Sequence, residues 1–273
     1  MAKNYEELDF TDDFMFGKVM EDKDLCKELL ECLLGRPIGE LEDVQTQREI
    51  RCKLEGKPIR LDVYSKDEEG IYDAEMQNLN HKSVESLELP RRSRFYQSMM
   101  DVDFLYKGNS YRRLPEGNVL FLCTFDPFGL DYPIYSFENR CIENPHLTLK
   151  DKTFKLFYNC TSTSEEVPEE VRELYRYIQT GNGNSELTRR IERAVSKARH
   201  NEEWRAEYMK ELIHDDDVRT EGIEIGEKRG IGIGEQNRDK VLAANWVLKG
   251  KTISQIAEDL DRSEEYVRKL IGQ

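Results

Sequence analysis

Two short runs, Ile59-Arg-Leu-Asp-Val-Tyr64 and Ile71-Tyr-Asp-Ala-Glu-Met-Gln77, alternate polar and apolar residues as strands do. The turn formers Lys66-Asp-Glu-Glu-Gly70 separate them, which makes a hairpin. A turn symmetric about Glu68 and Glu69 sets Asp67 against Gly70. Pairing along a constant sum then brings Asp62 opposite Glu75 and Arg60 opposite Gln77. Directly opposed residues have Cβ atoms about 4.5 to 5.5 Å apart, where two carboxylates repel and weaken the sheet. A divalent cation between them reverses the sign of that interaction.

Oxygen ligands with room for water suit Mg²⁺, or Mn²⁺ in its place. Such an ion binds a phosphate oxygen and acidifies a bound water, the chemistry of phosphodiester hydrolysis. Alternation puts Gln77 beside Glu75 and turns the Met76 side chain away, leaving the Met76 carbonyl as a further ligand. Gln77 can hold a water or phosphate by hydrogen bonds but brings no positive charge. The competing reading is that Asp62 and Glu75 are outward-facing residues of a solvated strand, since the spacing alone is loose. Against it stand the opposed register and the apolar neighbours of each acid, Leu61 and Val63, Ala74 and Met76.

Around the hairpin, residues 11–34 keep a helical period through Phe16, Val19, Met20, Cys26, Leu29, Leu30 and Leu33, with a break at Asp22-Lys-Asp. Thr11 and Asp12 offer a cap, and Gly35 and Pro37 stop the helix. A helix beginning near Pro90 runs to about Tyr106. Strands are expected at Asn118–Phe125, Ile134–Cys141 and Thr153–Tyr158. That order describes an α/β fold, a mixed sheet flanked by helices. Helices follow at Val171–Ile178 and from Ser185 to about His214. In residues 218–237, Gly222, Gly226, Gly230 and Gly234 recur every four residues, as a flexible linker or as an association helix that admits close backbone approach. Residues 238–273 read as short helices, the last two joined by Asp261-Arg262 in a helix-turn-helix-like module. Ile253, Ile256, Ala257, Leu260, Val267 and Leu270 form its core.

The net charge of −14 argues against a nucleic-acid partner until its distribution is considered. Arg48, Arg51, Lys53, Lys57 and Arg60 precede the hairpin; Arg91, Arg92, Arg94, Lys107, Arg112 and Arg113 follow it. An acidic chain with a basic cleft remains compatible with DNA. On the helix after the hairpin, Arg91 and Arg94 share a face and are candidate phosphate contacts or ion-pair partners of nearby acids. The six cysteines lack CxxC spacing and read as reduced, the four histidines lack zinc-like spacing, and no run has the roughly 20 apolar residues of a membrane span. The expected location is cytoplasmic.

The strings Thr11-Asp-Asp-Phe-Met-Phe-Gly-Lys-Val-Met20, Ile59-Arg-Leu-Asp-Val-Tyr64, Tyr72-Asp-Ala-Glu-Met-Gln77, Leu89-Pro-Arg-Arg-Ser-Arg-Phe-Tyr96 and Cys123-Thr-Phe-Asp-Pro-Phe128 occur in this order. Together they resemble the recombination-promoting nucleases, the PD-(D/E)XK nuclease family transposases, over roughly residues 5–215. The resemblance implies a restriction-endonuclease-like core in residues 1–165, a helical extension in 166–217, and a Mg²⁺-dependent DNA endonuclease. It makes Asp62 and Glu75 metal ligands, puts Gln77 in the place of the usual lysine, and offers Asp13 as a weaker acidic match. Arg60, Arg91 and Arg94 are the expected DNA-binding residues, with Arg60 a candidate for the missing cation. Two other readings stay open: a nuclease-fold DNA-binding protein with weak or no catalysis, and an interaction protein that forms homo-oligomers through its C-terminal helices.

Overall fold

The hairpin predicted from alternation is present, and it lies inside a larger sheet. The computed structural model describes residues 3–50, 58–78, 87–105 and 108–272, apart from the side chains at 215 and 217. Arg51, Lys53, Lys57 and Lys107 of the expected basic flanks lie outside the described residues. The chain divides into two compact units, Met1–Ala206 and Glu207–Gln273.

The first unit opens with α1 (Asp13–Met20) and α2 (Lys23–Leu34). Asp22 separates them because its carboxylate accepts from the amides of Asp24 and Leu25, capping α2. Gly35, at φ 64°, ends α2 in the left-handed conformation that glycine adopts without strain. Among the described residues six strands follow: β1 (Asp43–Ile50), β2 (Ile59–Lys66), β3 (Gly70–Gln77), β4 (Glu116–Cys123), β5 (Ile134–Phe137) and β6 (Thr153–Asn159). They form one sheet in the order β1-β2-β3-β4-β6-β5. The β1–β2, β2–β3 and β5–β6 pairs are antiparallel; β3–β4 and β4–β6 are parallel.

The Asp67 carboxylate makes the β2–β3 turn by accepting from the amides of Glu69 and Gly70, while the Asp67 amide donates to the Gly70 carbonyl. Val63 therefore pairs with Ala74 and Lys66 with Ile71, the register that alternation predicts. Parallel pairing of β3 with β4 puts β3 mid-sheet, and all eight of its residues are buried.

Helix α3 (Leu89–Phe104) crosses one face of the sheet, with Pro90 in its first turn. Leu89, Tyr96, Met99 and Met100 pack there against Val119, Phe121, Cys123 and Phe157. Phe121 and Phe157 stack at 5.2 Å, and Phe128 and Phe137 meet Phe157 edge-on. On the other side the Tyr158 hydroxyl donates to the Leu33 carbonyl of α2, and α4 (Glu169–Thr180) and α5 (Glu186–Arg199) pack with α1 and α2. The helices expected as an extension beyond residue 165 thus complete the layer behind the sheet.

Two expected boundaries move. The strand expected over Ile134–Cys141 ends at Phe137, because the chain folds back at Arg140, which bridges to Thr148. The helix expected from Ser185 to His214 is interrupted at His200. There the Asn201 side chain accepts from Glu203 and Trp204 amides and starts a new helix, α6 (Glu202–Leu248).

In the second unit, residues 218–237 lie within α6, whose glycines face open space. The end of α6 packs with α7 (Ile253–Leu260) and α8 (Glu264–Ile271) around Ala243, Ile256, Ala257 and Val267, with Ile253, Leu260 and Trp246 at the margin. Asp261 takes a left-handed turn between α7 and α8, and Ser263 caps α8. Buried Asp239 anchors this unit by accepting from Arg262 and Tyr266.

Phe157→Ala removes the hub of the aromatic cluster and is expected to lower unfolding free energy by about 3–5 kcal/mol. Urea denaturation checks this; a loss no larger than that of an exposed substitution would show the cluster to be loosely packed.

Candidate active site

Regular pairing between β2 and β3 stops at Val63–Ala74, one step before Asp62 meets Glu75. From there the side chains replace the ladder. The Asp62 amide donates to Glu75 Oε1 at 3.0 Å, and the Met76 amide donates to Asp62 Oδ2 at 3.2 Å. Each carboxylate thus takes the place of a backbone acceptor on the other strand, and the strands part. The β1 side is interrupted at the same level. Thr46 pairs with Val63 and Arg48 with Leu61, but Gln47, between them, has φ 52° and is absent from the ladder opposite Asp62. Helix α1 closes over this point: a Cβ at Gly17 would lie 3.4 Å from Thr46 Cβ and 3.9 Å from the Asp62 carbonyl.

Asp62, Glu75, Met76, Gln77, Asn78, Asp13, Arg60, Leu87 and Arg92 line a cavity of about 250 Å³. Sequence reasoning placed Asp13, Arg60, Asp62, Glu75, Met76 and Gln77 in one site, and the fold brings all six to this cavity. Asp62 and Glu75 are nevertheless 8% and 1% exposed, so the pair is enclosed and not on a solvated strand face. Asp13 begins α1, and its carbonyl accepts from Gln47 Nε2 at 3.5 Å. The Met76 carbonyl accepts from Gln77 Nε2 at 2.9 Å. The expected apposition of Arg60 with Gln77 does not form, because the strands have already separated; Arg60 pairs with Glu49 of β1.

Arg91 and Arg94 do not line the cavity. Arg91 is exposed and pairs with Glu88 at 3.2 Å, and Arg94 is exposed. The α3 guanidinium that reaches the cavity belongs to Arg92, between them in sequence. Its Nη1 donates to Gln77 Oε1 at 2.8 Å and its Nη2 to Glu75 Oε2 at 3.2 Å. The phase of α3 explains the difference. Arg92 borders the buried stripe of Leu89, Ser93, Tyr96 and Met100, whereas Arg91 and Arg94 lie on the opposite side. Arg48, another expected basic contact, is engaged by Asp103 and lies over the Tyr64 ring.

A further acid is Asp73, completely buried two residues before Glu75. Among the described residues no amide, hydroxyl or guanidinium donor reaches either Asp73 oxygen; its carboxyl lies against that of Glu75, which donates to it when protonated. Alternation places Asp73 on the face of Glu75, but its burial follows from the central position of β3. Burial, followed by mutual repulsion, pushes the carboxyls of Asp62, Asp73 and Glu75 well above the usual carboxylate range. Asp13 is also raised, chiefly by burial, against the attraction of Arg60. Among the described residues no group of three His, Cys, Asp or Glu side chains converges to hold a metal by itself. An ion here would rest on the Asp62–Glu75 pair with help from carbonyls or water. All-oxygen donors whose anionic forms are disfavoured in the absence of a cation fit a hard divalent ion.

No helix among the described residues is long and apolar enough to cross a membrane. No curated protein and no solved structure matches the chain. The family model described as PD-(D/E)XK nuclease family transposase matches residues 7–176, which include every strand, α1 to α3 and the paired carboxylates. The mixed sheet, the acids at the parting strands and this match agree, and the chain belongs to the PD-(D/E)XK nuclease family transposases.

Proposed function

We propose that the protein is a Mg²⁺-dependent DNA endonuclease, with Mn²⁺ able to substitute, that acts in the cytoplasm in recombination or element mobility with little sequence preference. The observation that carries this reading is the reciprocal carboxylate-to-amide clasp of Asp62 and Glu75 in the wall of a small cavity. In this reading Asp62 and Glu75 hold the ion, with the Met76 carbonyl and Asp13 at its margin. When bound, the ion supplies Lewis acidity and a more acidic water. The cavity is below the usual 300 to 1,000 Å³ of small-molecule pockets, so a single phosphodiester group is a better fit than a whole nucleotide. The Gln77 amide donates to Glu75 and to the Met76 carbonyl and so steadies the oxygens around the ion. Helices α6 to α8 serve association between copies.

A second reading is a nuclease-fold protein that binds DNA without cutting it. It is favoured by the neutral Gln77 and by the hold of Arg92 on a Glu75 oxygen. Plasmid incubated with Mg²⁺ separates the two. Cleavage is expected from the parent, with a loss of about 10²-fold or more in Asp62→Ala and in Glu75→Ala. Retained cleavage in either variant overturns the site, whereas DNA retention with no cleavage by the parent selects the second reading.

The buried acids also set a pH dependence. Between the ordinary carboxylate range, where the unfolded chain titrates, and the raised native values, the folded state binds more protons than the unfolded state. Metal-free stability therefore falls as pH rises through that window. Urea unfolding in chelator at about pH 5 and about pH 8 is expected to show the lower stability at the higher pH, with a smaller difference in Asp73→Asn. Added Mg²⁺ should stabilise more at the higher pH, because it competes with protons for the same oxygens. Equal stability at both values would show that these carboxyls are ionised in the native state.

A further inference from the structure

Attack on a phosphodiester builds negative charge on the phosphoryl oxygens, and donors already aimed at that charge lower the barrier. β3 ends in a neutral amide where a cation would serve this purpose, yet the site contains a cation on another element. Arg92 reaches the same cavity from α3. Its Nε and Nη2 donate to the Tyr96 hydroxyl at 3.2 and 2.9 Å. Its guanidinium carbon lies 5.3 Å from the Tyr96 ring centroid and 5.7 Å from that of Phe121. With Nη2 also on Glu75 and Nη1 on Gln77, four of the five guanidinium hydrogens are engaged, which leaves one on Nη1 for a ligand.

Neutralising Glu75 would account for one of these contacts. It does not account for a side chain still 30% exposed at the cavity, nor for the bond to Gln77. That bond fixes the Gln77 amide, because only its oxygen can accept from a guanidinium; Nε2 is thereby directed to Glu75 and Met76. Arg60 shares the cavity, but the Gln77 oxygen is held by Arg92.

We propose that Arg92 is the phosphate-stabilising cation of this site, and that Gln77 is a positioning residue that aims it. The assignment rests on the nuclease reading above. It is tested with the full chain on plasmid DNA and Mg²⁺, using Arg92→Met, which keeps an unbranched stem without charge, and Arg92→Lys, which keeps the charge without the fork. Arg92→Met is expected to lower kcat by about 10²- to 10³-fold, with KM and Mn²⁺ affinity by calorimetry within about threefold of the parent. Arg92→Lys should recover at least about tenfold of that loss, because a point charge retains part of the stabilisation. Gln77→Ala should lower kcat by a smaller factor than Arg92→Met.

If Arg92→Met cleaves like the parent, or if the Met and Lys variants are equally impaired, the assignment falls. It also falls if Mn²⁺ affinity drops by the same factor as kcat, since Arg92 would then only support the ligands. In these cases the parent still cleaves and the nuclease reading stands. A parent that cleaves no DNA overturns both.

Discussion

The exchange of backbone acceptors for carboxylates between β2 and β3 is the interaction on which the site depends. An amide in mid-sheet needs an acceptor, and Asp62 and Glu75 supply acceptors to each other's strand. The strands can then separate without stranding buried N–H groups, and the separation creates the cavity. Helix α1 passes over the parted strands at Gly17, Gln47 bends β1 at the same level, and α3 brings Arg92 to the cavity. Remote pieces of sequence meet because one ladder is interrupted.

The arrangement carries a local electrostatic cost. Asp73 and Glu75 lie on β3, whose residues are all buried, Asp62 lies on the neighbouring β2, and the ion-pair partner of Glu75 is the half-buried Arg92. Burial disfavours each anion and proximity disfavours them together. The apolar cluster of α3, β4 and β6 and the helices behind the sheet hold the acids in place in spite of this repulsion. In the metal-binding reading a cation would meet ligands already held in place, so binding energy would not be spent on ordering them.

Much of this was legible in the sequence. The hairpin register followed from the Asp67–Gly70 turn, and the pairing of Asp62 with Glu75 followed from the register. Short-range rules ended where tertiary placement began. Alternation could not show that β3 is covered on both faces, so it presented the acids as candidates for a solvated face and left Asp73 unremarked. The choice of Arg91 and Arg94 matched residues that share a helix face but did not ask which face was buried. Phasing α3 on Leu89, Ser93, Tyr96 and Met100 adds Arg92 as the arginine that reaches the cavity and leaves Arg91 and Arg94 on the exposed side. The break at His200 was hidden because Asn201, an ordinary polar residue in a charged helix, acts as a cap only in that local geometry. The glycine-striped segment was open between linker and helix, and its four-residue recurrence proved consistent with continuous helix.

The left-handed Gln47 has a further consequence, because β1 is an outer strand of the sheet. An uninterrupted outer strand presents a regular row of amides and carbonyls on which a strand from another molecule can assemble. One residue turned out of the extended conformation midway along β1 breaks that row into two short lengths, each too brief to nucleate a stable addition. The kink that frees Asp62 from its neighbour thus also protects an exposed flank from aggregation.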